Sequence, residues 1–200
     1  MSAAFLALGD SYTIGEQVAE ADRWPVQLSV ALRAAGIDVA EPRIIAKTGW
    51  TTDELAAGID AAHITGTYAL VSLLIGVNNQ YRGRAAEEYR KQFRGLLDLA
   101  VGFAGARAPR VMALSIPDWG VMPFAEGRDP AAIGREIDAF NAVGRDEALR
   151  AGAHWVDVTP TSREARANWA APDGLHPSGA QYAAWAELAL IPAKAALQSK

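Results

Sequence analysis

The run Phe5-Leu6-Ala7-Leu8-Gly9-Asp10-Ser11-Tyr12 decides the reading of the fold. Its first four residues form a short unbroken apolar segment, the kind a strand buried on both faces requires. Gly9-Asp10-Ser11 then interrupts it with turn-forming residues. Comparable runs recur at 43–46, 69–75, 111–116 and 155–158. Helical patterns separate them: 25–35 closed by Gly36, 52–62, 85–104, 131–151 closed by Gly152, and a last one after Ser178. Strand and helix alternate throughout, which predicts an α/β fold: a three-layer α/β/α sandwich on a five-stranded parallel sheet with right-handed crossovers, spanning residues 1–200 as one domain.

Two helix starts carry a signature of their own. Thr51-x-x-Glu54 and Ser178-x-x-Gln181 have capping-box spacing, in which a hydroxyl serves a free N–H and the longer side chain reaches back. Pro25 suits a first helical turn, where its missing N–H costs nothing.

Composition narrows the function classes. The chain has 200 residues, half of them apolar, and a formal charge of −4. It has no block of like charges to attract nucleic acid or an anionic membrane. With no cysteine, disulfides, thiolate metal sites and cysteine nucleophiles are excluded. No apolar run approaches the roughly 20 residues that span a bilayer. The N-terminus lacks the basic region, apolar stretch and cleavage site of a secretory signal. The expected location is therefore the cytoplasm, or a secreted or periplasmic one if a signal peptide has been removed. Oligomeric state is not legible.

In open parallel sheets ligands bind beyond the carboxyl ends of the strands. Ser11 follows the first run, Gly49 the second, Asn78 the third, the Trp119 loop the fourth, and Asp173 with His176 the fifth. All these candidates fall on one edge.

A serine hydroxyl is a weak nucleophile that needs a base, and the base needs an orienting partner. Ser11, His176 and Asp173 offer those three groups. Taken singly, Gly-Asp-Ser is also an ordinary turn, and Asp173-Gly174 a turn beside a solvated histidine. Pro172, Gly174 and Pro177 keep the segment out of a regular helix, so a loop can bring carboxylate and imidazole together. His63 and His154 lack such neighbours and are assigned to surface or helix-end positions. Acyl transfer also needs donors for an oxyanion. The Ser11 N–H, the Gly49 N–H and the Asn78 amide are candidates, although Gly49 also suits a left-handed turn and Asn78 a loop cap.

The set Gly9-Asp10-Ser11, Gly49, Gly76-Val77-Asn78 and Asp173-x-x-His176 resembles the four blocks of the SGNH, or GDSL-type, hydrolases, in particular the compact bacterial lysophospholipase-like esterases. The resemblance extends from the first strand to the last helix. It implies a flavodoxin-like sheet, Ser11 as nucleophile, His176 as base, Asp173 as its orienter, and an oxyanion hole of Ser11, Gly49 and Asn78. Two positions depart from the pattern. Asn79 stands where many relatives have Asp, and Tyr12 where Leu is frequent.

The implied activity is a metal-free and cofactor-free hydrolysis of carboxylic esters. Short to medium acyl groups are favoured, with lysophospholipids, acetylated sugars and thioesters as further candidates. Tyr12, Trp50, Tyr81, Trp119 and Phe124 are candidate substrate walls, though cover for the sheet end accounts for them equally. Arg82 and Arg84 are candidates for an anionic head group or, more simply, solvated surface. Rival readings are acyl transfer to an alcohol through the same acyl-enzyme, or a silent binding module on the same fold. A flavodoxin-like nucleotide protein lacks its glycine-rich phosphate loop, and a metal hydrolase lacks further ligands. An α/β-hydrolase elbow is disfavoured because Thr13 occupies the place of its second glycine.

Overall fold

Strands β1 (Phe5–Gly9), β2 (Arg43–Ala46), β3 (Leu70–Leu74), β4 (Val111–Leu114) and β5 (His154–Val156) pair in parallel in the order β2-β1-β3-β4-β5. This computed structural model describes residues 2–164 and 166–199. The register places Gly9 between Ala46 on one side and Leu74 on the other. Every residue of β1 and β3 is buried, as the unbroken apolar runs require, while the edge strand β2 is partly exposed.

Helices cover both faces. Helices α2 (Trp24–Ala34) and α8 (Gly179–Gln198) pack on each other, and α8 also meets β3, β4 and β5. Helix α5 (Ala86–Phe103) packs against α3 (Thr52–Ala61), α6 (Pro130–Ala151) and β3. Its buried side chains, Tyr89, Phe93, Leu96, Leu97 and Ala100, recur at helical spacing and form one apolar stripe. The arrangement is the expected three-layer α/β sandwich.

The local differences have physical causes. Three short helices follow strands directly: α1 (Ser11–Ile14), α4 (Val77–Tyr81) and α7 (Thr159–Ser162). At four or five residues they are too short to display a period. β5 stops at Val156 because Asp157 turns to accept from Ser115 Oγ at 3.0 Å and from the Thr159 N–H at 3.2 Å. His154 sits in the edge strand β5 and not at a helix end; it is half-buried, with Nε2 3.0 Å from the Pro109 carbonyl in an exposed contact, so of the two expected positions the surface one fits. At α3 the capping-box reach-back forms, with Glu54 accepting from the Thr51 N–H at 2.9 Å. At α8 only the hydroxyl half forms. Ser178 Oγ accepts from the Gln181 N–H at 3.3 Å, whereas the Gln181 side chain is buried instead of reaching back.

Candidate active site

β1 delivers Ser11 to the carboxyl edge as the first residue of α1. Its N–H therefore has no partner within the helix. Asp10 caps that helix, its Oδ1 accepting from the Tyr12 N–H at 3.0 Å. Gly9 permits the tight approach: a Cβ there would lie 2.2 Å from Thr13 Oγ1 and 2.5 Å from the Leu74 carbonyl oxygen. Asp10 is wholly buried and its Oδ2 finds no hydrogen-bond partner among the described residues. Burial pushes its carboxyl up to about 7 against the opposing bond from the Tyr12 N–H.

His176 arrives from the far end of the chain on a loop closed like a hairpin. Ala170 and Pro177 form an antiparallel bridge, and the Ala171 N–H donates to the His176 carbonyl at 2.7 Å. Asp173 Oδ2 lies 2.6 Å from His176 Nδ1, while Oδ1 accepts from the N–H groups of Leu175 and His176, both at 3.0 Å. Partial burial disfavours the charge on Asp173. The bonds from the His176 ring and the two backbone N–H groups prevail and hold the carboxyl below the ordinary carboxylate range. With Nδ1 engaged, Nε2 is the ring nitrogen left for chemistry.

The loop from β2 to α3 brings in Gly49, which has φ +84°, a conformation that favours glycine. Arg82 Nη2 donates to the Gly49 carbonyl at 2.7 Å and its Nη1 to Glu54 at 3.4 Å, while Thr48 Oγ1 donates to Glu16. No protein group among the described residues accepts the Gly49 N–H. Asn78, on α4, donates from Nδ2 to the Trp50 carbonyl at 2.9 Å, which ties the two strand ends together and leaves the second amide hydrogen free. Behind it Asn79 is fully buried. It accepts from the Thr52 N–H at 3.1 Å and donates to Thr52 Oγ1 at 2.7 Å, and that hydroxyl donates to Gln92. The amide at position 79 thus pins α4 to the start of α3.

These parts meet around a cleft of about 190 Å³. Ser11, Gly49, Asn78 and His176 line it, together with the aromatic side chains of Tyr12, Tyr81, Trp119 and Phe124. Ser11 and His176 are only 5% and 8% exposed. No hydrogen bond joins their side chains among the described residues. Tyr12 packs edge-on against His176 and Trp185, with ring centres 5.9 and 6.0 Å apart.

Asp173 stands behind His176, outside the lining. Trp50 does not line the cleft either, since its ring covers Gly58 on α3, where a Cβ would lie 2.1 Å away. Arg84 pairs with Asp53 at 2.6 Å on the surface. The lining residues Thr48, Val77 and Leu175 went unrecognised in the sequence, as did Arg82's hold on Gly49. Adjacency to Gly49, Asn78 and His176 was the available signal for the first three.

The order β2-β1-β3 reverses the direction of winding between β1 and β3, and the cleft opens at that switch point. A doubly wound α/β protein with a serine and a histidine in such a cleft has the class of architecture used by hydrolytic enzymes. Over residues 7–184 the sequence matches the model of the GDSL-like Lipase/Acylhydrolase family, and the chain belongs to that family. It is a carboxylic ester hydrolase by class.

Solved structures share the fold across nearly the whole chain. TesA superposes with a TM-score of 0.79 at 21% identity, covering 97% of this chain and 99% of that one. The psychrotrophic esterase EstA from Pseudoalteromonas sp., in a form inhibited by monoethylphosphonate, gives 0.75 at 15% identity over 96% and 97%. The lipase/acylhydrolase from Enterococcus faecalis gives 0.73 at 18% identity over 100% and 99%. No curated protein matches the sequence. Among the described residues no helix is long and apolar enough to cross a membrane, and no three His, Cys, Asp or Glu side chains cluster as metal ligands would.

Proposed function

We propose that the protein hydrolyses carboxylic esters of short to medium acyl chains through an acyl-enzyme on Ser11. The observation that carries this reading is the 2.6 Å contact between Asp173 Oδ2 and His176 Nδ1, which leaves Nε2 for the cleft that His176 shares with Ser11. Ser11 Oγ attacks the ester carbonyl as its proton passes to Nε2, forming a C–O bond and moving the carbonyl electrons onto oxygen. The N–H groups of Ser11 and Gly49 and the Asn78 amide stabilise that oxyanion. On collapse the ester C–O bond breaks and His176 returns the proton to the departing alkoxide. Water then repeats the sequence and releases the acid. Asp173 holds the imidazole in one tautomer and stabilises its protonated form.

Size supports small acyl groups: about 190 Å³ lies below the roughly 300–1,000 Å³ of pockets for drug-sized ligands. The test is a p-nitrophenyl ester series of increasing acyl length, given to the wild type and to Ser11→Ala. The expected result is turnover that peaks at short to medium chains and falls by roughly 10⁴–10⁶-fold in the variant. Equal rates in both would overturn the assignment. Added alcohol acceptors, with product analysis, separate hydrolysis from transfer.

A further inference from the structure

The aromatic wall of the cleft is fastened from outside its lining, by Arg128. Three of its aromatic rings, Tyr81, Trp119 and Phe124, surround the guanidinium of Arg128, whose carbon lies 5.5, 5.3 and 5.2 Å from their respective centres. Among the described residues the only hydrogen bond of that side chain runs from Nη2 to the Tyr81 hydroxyl at 3.4 Å. A guanidinium attracts the electron-rich faces of aromatic rings, and three rings around one cation are drawn together by it.

The three rings differ in how else they are held. Trp119 is 4% exposed and anchored, its Nε1 donating to Gln80 at 2.9 Å while Gln80 donates to Glu136 at 2.7 Å. Tyr81 and Phe124 are 49% and 40% exposed and touch Trp119 edge-on, at 5.5 and 6.2 Å between centres. Tyr81 closes α4, Phe124 belongs to the loop after β4, and Arg128 lies just before α6. One side chain therefore bridges α4 and the loop between β4 and α6. The polar lining of the same cleft comes from Ser11, Thr48, Gly49, Asn78 and His176. The aromatic wall suits the hydrocarbon part of an ester.

We propose that Arg128 is a specificity-determining positioning residue: it clamps Tyr81 and Phe124 onto Trp119 and so closes the acyl end of the cleft against long chains. The proposal rests on the ester-hydrolase reading of that cleft. Removing the guanidinium frees the two exposed rings to swing outward and lengthens the space beyond Ser11. Lysine retains a cation but lacks the planar group that contacts several rings at once.

The experiment measures kcat/KM for p-nitrophenyl acetate, butyrate, octanoate and decanoate with wild type, Arg128→Ala and Arg128→Lys. Fluorophosphonate labelling of each protein verifies an intact site. The expected result is an octanoate-to-acetate ratio at least about fivefold higher in Arg128→Ala, with Arg128→Lys between the two. An unchanged profile, or an equal loss at every chain length, would overturn the clamp. So would a loss confined to an ester with an anionic acyl group, such as mono-p-nitrophenyl succinate, which would make Arg128 an anion receptor. A change seen only when the alcohol is varied in a series of acetates would place the alcohol at this end and also overturn the assignment. A wild type that neither turns over any ester nor takes up fluorophosphonate removes the ester reading and the clamp with it. An active wild type with an unaltered Arg128→Ala profile removes the clamp alone.

Discussion

Asp10 sits beside the proposed nucleophile yet has no place in the acyl-transfer steps. Its work is to cap α1 through Oδ1, and its cost is a buried carboxyl whose second oxygen has no partner among the described residues. Because burial raises its value from 3.8 to about 7, the folded protein holds a proton that the unfolded chain releases. The associated stability is complete below about pH 3.8 and is lost as pH rises through about 7, amounting to about 4 kcal/mol in all. Asn is as good a cap and carries no charge. Asp10→Asn is therefore expected to gain on the wild type progressively from pH 4 to pH 8. Thermal melts at several pH values check this, and a melting difference that is flat with pH would refute it. Asp173 shows the opposite behaviour, since its bonds to His176 favour the charged form.

At the scale of elements, the loop between β2 and α3 is the part most dependent on remote support. Gly49 has no side chain with which to anchor itself, and Arg82, at the end of α4, grips its carbonyl at 2.7 Å. Removing that grip lets the 48–50 peptides rotate and misaligns the proposed oxyanion donor, which acts in the transition state more than in binding. Arg82→Ala is expected to lower kcat roughly tenfold with KM changed less than about twofold, and Arg82→Lys to recover part of the loss. Steady-state kinetics on a short ester read the split; a pure KM effect would contradict it. The sequence signals divide along the same line. Asp173 and His176 are three residues apart, so their pairing is a local matter readable from adjacent letters. The ties of Asn78 to Trp50 and Arg82 to Gly49 span 28 and 33 residues across a crossover, and no local pattern announces them. The strands were legible because burial on both faces demands uninterrupted apolar runs. Helices α1, α4 and α7 were not, because barely one turn shows no periodicity. Trp50 is an aromatic next to Gly49 in sequence, but its ring turns to fill the space over Gly58.

The whole molecule explains why residues from positions 11 to 176 share one cleft. A parallel sheet sends every crossover back to the same end, so each strand delivers its following loop to the carboxyl edge, and the reversal between β1 and β3 parts the chain there. Covering layers on both faces keep those strands rigid: α2 with α8 on one side, α3, α5 and α6 on the other. The loop carrying Trp119 and Phe124 is tied to the loop carrying His176 by the Phe124 N–H to Gly174 carbonyl bond at 3.0 Å, which joins the backbone of the cleft wall to the segment of the proposed base. The central claim is that this architecture activates Ser11 as a nucleophile. The most direct test is mass spectrometry of the intact protein and its peptides after reaction with a fluorophosphonate. One adduct per chain on Ser11, formed much more slowly in His176→Ala and absent from Ser11→Ala, is the predicted result. An adduct on another residue, or ester turnover that persists with Ser11 unmodified, would contradict it.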